Sequence, residues 1–141
     1  MEPNYINRVW IIDDDAVYRY AFRKFVEMKG LCPDVVDFGN GKDAMDFLQN
    51  PINARLIPDL IFLDIDMPVM DGWGFIEAFE HIKTRFEKAP GIFLVTSSID
   101  YRDIVKAQNH PAIIDYVMKP LATHQFSSLF SEYQEKQSAY L

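Results

Sequence analysis

Five short apolar runs recur along the chain, at positions 9–12, 35–38, 60–63, 92–95 and 113–117. They are rich in Val, Ile and Leu, and few polar residues interrupt them. Runs of this length, bounded by turn residues, fit strands of a parallel sheet covered on both faces. Between them the period lengthens. Tyr18, Ala21, Phe22, Phe25 and Val26 fall at i, i+3, i+4, i+7 and i+8, and Gly30 is placed to end that helix. Ala44, Phe47 and Leu48 mark a shorter helix that must stop before Pro51. Phe75, Ile76, Phe79, Ile82 and Phe86 predict a third helix. Ile104, Val105 and Gln108 predict a fourth with Asp100 as its cap, and Phe126, Leu129, Phe130 and Tyr133 a fifth capped by Thr123. The helical period alone accounts for these aromatic stripes as core packing.

Strand and helix therefore alternate five times. This predicts an α/β fold: a five-stranded parallel sheet with helices on both faces and right-handed crossovers. No linker, repeat or low-complexity segment breaks the pattern, so residues 1–141 are expected to form a single domain.

Composition narrows the function. Hydrophobic residues make up 49% and charged residues 25%, as in a soluble globular protein. With 14 basic and 21 acidic residues the net charge is −7, which argues against direct binding of nucleic acid. The lone Cys32 excludes an intrachain disulfide and a cysteine-rich metal site. The opening MEPNYINRVW lacks the blocks of a secretory signal, and no apolar run approaches the ~20 residues of a membrane span. A cytoplasmic protein without membrane insertion is expected.

The chemistry collects where the apolar runs end. The first leads into Asp13, Asp14 and Asp15, the third into Asp64, the fourth into Thr96, Ser97 and Ser98, and the fifth into Lys119 and Pro120. In an open parallel sheet these ends share one edge, the edge at which such sheets bind ligands. Carboxylates gathered there repel one another unless a cation intervenes, and an all-oxygen donor set suits Mg2+. Thr96 and Lys119 then suit phosphoryl oxygens. Taken singly, each has a plainer reading: Asp15 as a helix cap, Thr96 as a strand residue, Lys119 as a surface lysine.

Together, "IIDDD", "LDIDMPVMDGWGF", "VTSS" and "YVMKP", in this order, resemble the response-regulator receiver domain of two-component signalling, in its single-domain, chemotaxis-type form. The resemblance spans roughly residues 7–136. It implies a flavodoxin-like strand order 2-1-3-4-5. It implies that Asp64 accepts a phosphoryl group from a phosphohistidine of a sensor kinase or histidine phosphotransfer protein. It implies Mg2+ held by Asp13, Asp14, Asp64 and the backbone carbonyl of Asp66. Lys119 would pair with a phosphoryl oxygen, and its bond to Pro120 would be cis. Thr96 and Tyr116 would form a switch that alters a face made of the fourth helix, fifth strand and fifth helix. That face would meet a downstream protein or a second copy of the chain. Such a module catalyses only its own phosphorylation and dephosphorylation. Asp66 and Ser98 flank the route of an attacking water and are expected to tune the lifetime of the phosphoryl group. Asp71 is left as the cap of the third helix, with Pro68 stiffening the loop before it.

Two other readings compete. "DID" at 64–66 also resembles the start of haloacid-dehalogenase-type phosphatases, although the chain has no room for a cap domain. A receiver-like module that binds without phosphorylation is the second. His81, His110 and His124 show no metal-ligand spacing and are expected at the surface. Trp10 and Trp73 are expected to pack, with Trp73 a weaker candidate for a partner contact.

Overall fold

The computed structural model describes residues 6–138. Strands β1 (Arg8–Ile12), β2 (Asp34–Phe38), β3 (Leu60–Asp64), β4 (Gly91–Thr96) and β5 (Ile113–Met118) form one parallel sheet in the order β2-β1-β3-β4-β5. Helices α1 (Ala16–Lys29), α2 (Gly41–Gln49), α3 (Gly72–Glu80), α4 (Tyr101–Gln108) and α5 (Thr123–Ser138) connect and follow them. Alternation along the strands sorts the core into two layers. Val9, Ile11, Phe62, Phe93 and Val95 pack with Phe22 and Val26 of α1 and with Phe126, Leu129, Phe130 and Tyr133 of α5. Trp10, Ile12, Ile61, Leu63 and Leu94 face α2, α3 and Ala107 of α4. Both faces of the three central strands are covered, which is why those runs read as continuously apolar.

The helix signals hold where they are local. Asp15 caps α1 by accepting from the N–H groups of Val17 and Tyr18, and Gly30 ends it at φ 60. Asp100 caps α4 and Asp71 caps α3. Among the described residues, no helix is long and apolar enough to cross a membrane.

Four expectations are corrected. The third stripe outruns its helix: α3 stops at Glu80, and a 3₁₀ turn (Lys83–Arg85) carries the chain on. Ile82 is still buried and Phe86 stacks on Phe79 at 6.0 Å, so tertiary packing rather than helix continuity preserves the apolar spacing. The fourth stripe is rotated: α4 buries Ala107, while Val105 is 53% exposed. α5 begins at Thr123 itself, with the Ala122 carbonyl accepting from Phe126, so Thr123 lies inside the helix rather than at its cap. His110 is not a free surface residue. Its Nδ1 accepts from the Ala112 N–H, and its Nε2 lies 3.6 Å from Glu80.

Candidate functional site

Register brings the strand ends together. Ile12 pairs with Leu63, so Asp13 emerges beside Asp64; Thr96 pairs with Met118, so Lys119 emerges beyond Thr96. One carboxylate oxygen from each of Asp13, Asp14 and Asp64 lies within 4.8 Å of the other two. Asp13, Asp64 and Thr96 are buried and Asp14 is exposed, so one carboxylate faces solvent and two line the floor. Lys119 Nζ lies 2.5 Å from Asp13 Oδ2 and 3.9 Å from Asp64 Oδ2. The Lys119–Pro120 bond is cis.

Charge is only partly balanced. Burial and the neighbouring Asp13 carboxylate push the Asp64 carboxyl up to about 7, and the Lys119 ammonium only partly offsets them. A carboxyl held up in this way is relieved by added positive charge. Three convergent carboxylates, one open to water, fit a hard divalent ion such as Mg2+.

The pocket walls are fixed by interactions the sequence pattern did not reveal. Arg19 donates from Nη1 to the Asp13 carbonyl at 2.7 Å and from Nε to Asp37 at 2.9 Å. Burial raises the Asp37 carboxyl, but Arg23 and Arg19 outweigh it and hold the group below the usual carboxylate range. A cation in the first turns of a helix opposes the helix dipole, and that misfit was the available signal for Arg19. Gly72 is a second such residue. A Cβ there would stand 2.6 Å from the Asp64 carbonyl oxygen and 2.9 Å from Ile65 Cα. The Asp71–Gly72 pair therefore caps α3 and also lets that helix start directly against the Asp64 backbone. Between them, Val69 adopts φ 71 and the Met70 N–H bonds the Pro68 carbonyl at 2.9 Å. This γ-turn strains a β-branched residue by about 1–3 kcal/mol.

Asp66 does not turn its carboxylate to the acidic pair. Its Oδ2 lies 3.4 Å from both Thr96 Oγ1 and Ser98 Oγ, linking the three residues expected near the switch and the water route. Tyr116 is half-buried, and its hydroxyl donates to the Ser98 carbonyl at 3.1 Å. Trp73 is tied down rather than free: its indole N–H bonds Asp103 at 2.9 Å and Lys106 lies 4.3 Å from its ring.

A family model, the response regulator receiver domain, matches residues 9–130, a span that includes every one of these groups. The chain belongs to the response regulator receiver domain family. That membership selects the receiver reading over the phosphatase one. The receiver is 31% identical over 133 residues to the DNA-binding transcriptional regulator NtrC of Escherichia coli (strain K12), covering 92% of this chain and 26% of NtrC. It is 31% identical over 129 residues to the probable C4-dicarboxylate response regulator DctR of Halalkalibacterium halodurans, covering 91% of this chain and 51% of that protein. The chain thus spans between a quarter and a half of these relatives. Among solved structures it superposes on a two-component response regulator from Cytophaga hutchinsonii with a TM-score of 0.80, 27% identity, and 92% and 98% coverage. It shares its fold with the Vibrio cholerae chemotaxis protein CheY4 at a TM-score of 0.74 and 19% identity, covering 91% and 98% of the two chains. Family membership makes it a receiver, the phosphoacceptor domain of response-regulator signalling.

Proposed function

We propose that Asp64 is the phosphoacceptor. The observation that carries this is the meeting of a buried, electrostatically stressed carboxylate with a second buried acid, an exposed acid and an ammonium at one sheet edge. An Asp64 carboxylate oxygen attacks the phosphorus of a phosphohistidine on a sensor kinase or histidine phosphotransfer protein. The new P–O bond forms as the P–N bond breaks, and the imidazole leaves with the electron pair. Asp13, Asp14, Asp64 and the backbone carbonyl of Asp66 would hold Mg2+, which supplies charge neutralisation at the transferring oxygens. Lys119 moves from its Asp13 partner toward a phosphoryl oxygen. Thr96 gives up the Asp66 side and turns its hydroxyl to the same group.

The output follows from the rotated fourth helix. Ile99, Tyr101 and Val105 stay exposed, and a groove of about 490 Å³ that Ile99, Tyr116 and Met118 help to line runs between α4 and β5. Tyr116 hangs over this groove by its bond to the Ser98 carbonyl, two residues past Thr96. A change at Thr96 is therefore passed to a surface that suits a protein partner or a second copy of the chain. The reading takes residues 1–141 as one receiver domain acting in the cytoplasm.

The test is incubation with Mg2+ and acetyl phosphate followed by intact-mass measurement. Wild type gains one phosphoryl group and Asp64→Asn gains none. Equal gain by the variant, or no gain by wild type, refutes the assignment.

A further inference from the structure

Lys119 brings an ammonium to the acceptor, and three neighbours hold it there. Two are the carboxylates of Asp13 and Asp64. The third is the ring of Tyr18, whose centre lies 4.3 Å from Nζ. The apolar period assigns Tyr18 to the packing stripe of α1, and it does pack against the core shared by α1 and α5. Three further facts set it apart from packing. Its N–H bonds the capping carboxylate of Asp15, so the contact that starts α1 also anchors the Tyr18 backbone. Its hydroxyl oxygen is buried and has no hydrogen-bond partner among the described residues. Burial, with the charges of Asp13 and Asp64, raises the phenol well above its ordinary range. What Tyr18 offers Lys119 is therefore its ring face.

We propose that Tyr18 is a positioning residue for the phosphorylation reaction: its aromatic face seats the Lys119 ammonium beside Asp64 independently of Asp13. The inference rests on the reading of Lys119 as the cation for the phosphoryl oxygens. Asp13 is wanted twice, by Lys119 in the metal-free pocket and by a divalent ion in the loaded one. A carboxylate that turns toward a doubly charged ion attracts the ammonium less, and the ion itself repels it. A lysine stem released in this way has many rotamers to explore. A ring quadrupole attracts the ammonium without ligating a metal, so this seat survives when the Asp13 contact weakens. Cation–π contacts of this kind correspond to roughly 3- to 30-fold in an equilibrium or rate constant.

Two measurements test the seat. In proton NMR, the ε-methylene resonances of Lys119 are expected to be shifted upfield by the ring current in wild type, with and without Mg2+. Tyr18→Leu removes that shift. In phosphorylation by acetyl phosphate with Mg2+, Tyr18→Leu is expected to lower the second-order rate constant by roughly 3- to 30-fold. Tyr18→Phe, which keeps the ring face, restores most of the lost rate and the upfield shift. A leucine variant as fast as wild type overturns the proposal, as does a phenylalanine variant as slow as the leucine one. Should Tyr18→Leu fail to fold, the wild-type spectrum decides: Lys119 resonances at ordinary positions with Mg2+ present overturn the seat. If wild type itself takes up no phosphate, the phosphoacceptor reading falls, and the role assigned to Tyr18 falls with it. If wild type reacts and Lys119→Met is slow while Tyr18→Leu is not, the Tyr18 inference alone fails.

Discussion

Replacing Asp64, the proposed acceptor, by Asn should stabilise the metal-free protein at neutral and mildly alkaline pH. Asp64 is 6% exposed, lies in the field of Asp13, and has its nearest ammonium 3.9 Å away and committed to another carboxylate. Its carboxyl is raised from 3.8 to about 7. Folded Asp64 therefore keeps its proton across a window, from about pH 4 to about pH 7, in which the unfolded chain has released it. The folded state binds more protons there, so stability falls as pH rises through the window. At about 1.4 kcal/mol per pH unit the ceiling is about 4 kcal/mol above pH 7. Local relaxation and water entry reduce it, and about 2 kcal/mol is the working expectation. Asn is neutral, nearly isosteric, and keeps the Oδ1 that accepts the Asp66 N–H at 3.3 Å. The assay is thermal unfolding in chelator, comparing wild type and Asp64→Asn at several pH values. Near pH 8 the variant should melt about 6 °C higher, and the gap should close toward pH 4. Mg2+ should narrow the gap by stabilising wild type more than the variant. A variant no more stable than wild type near pH 8, or a gain independent of pH, would refute the electrostatic account of the pocket.

Three further outcomes follow from the pocket walls. Gly72→Ala should destabilise by about 2 kcal/mol or more, because the new methyl meets backbone atoms at 2.6 and 2.9 Å that have little freedom to move; urea denaturation measures it. Asp15→Ala removes the acceptor for two N–H groups of α1 and should cost about 1 kcal/mol, read as a lower urea midpoint with an unchanged m value. Arg19→Met frees the Asp13 carbonyl and should weaken Mg2+ binding by roughly 10-fold in a calorimetric titration, while the fold persists. An unchanged Mg2+ affinity would show that the Asp13 backbone needs no such brace.

The motif "LDIDMPVMDG" shows how far residue chemistry is legible without coordinates. Asp64 sits at the strand end and Asp71 caps α3, as their neighbours in sequence imply. Asp66 divides its groups in a way only the fold displays, with its side chain toward Thr96 and Ser98, thirty or so positions away. The strain at Val69 has no sequence signature, since a branched residue is among the least suited to a positive φ. Tyr18 was legible only as a member of a helix, and Arg19 only as a cation misplaced against the helix dipole. Their roles depend on Lys119 and Asp37, partners brought near by sheet order and not by spacing.

Periodicity and punctuation thus determined the element order, the parallel sheet and the edge on which the chemistry gathers. These are local consequences of burial pattern, capping and the one-sidedness of parallel strand ends. Register was decided elsewhere. β4 and β5 slip by one residue between Ile92 and Phe93, so Thr96 pairs with Met118 and Lys119 leaves the sheet beside Asp13 and Tyr18. An unslipped pairing would carry the same apolar composition in both strands. Packing of the whole sheet against its two helix layers selects between them, because a one-residue slip reverses which side chains face which layer. The place of the Lys119 ammonium relative to Asp64, and with it the geometry of the site, is a property of the tertiary structure.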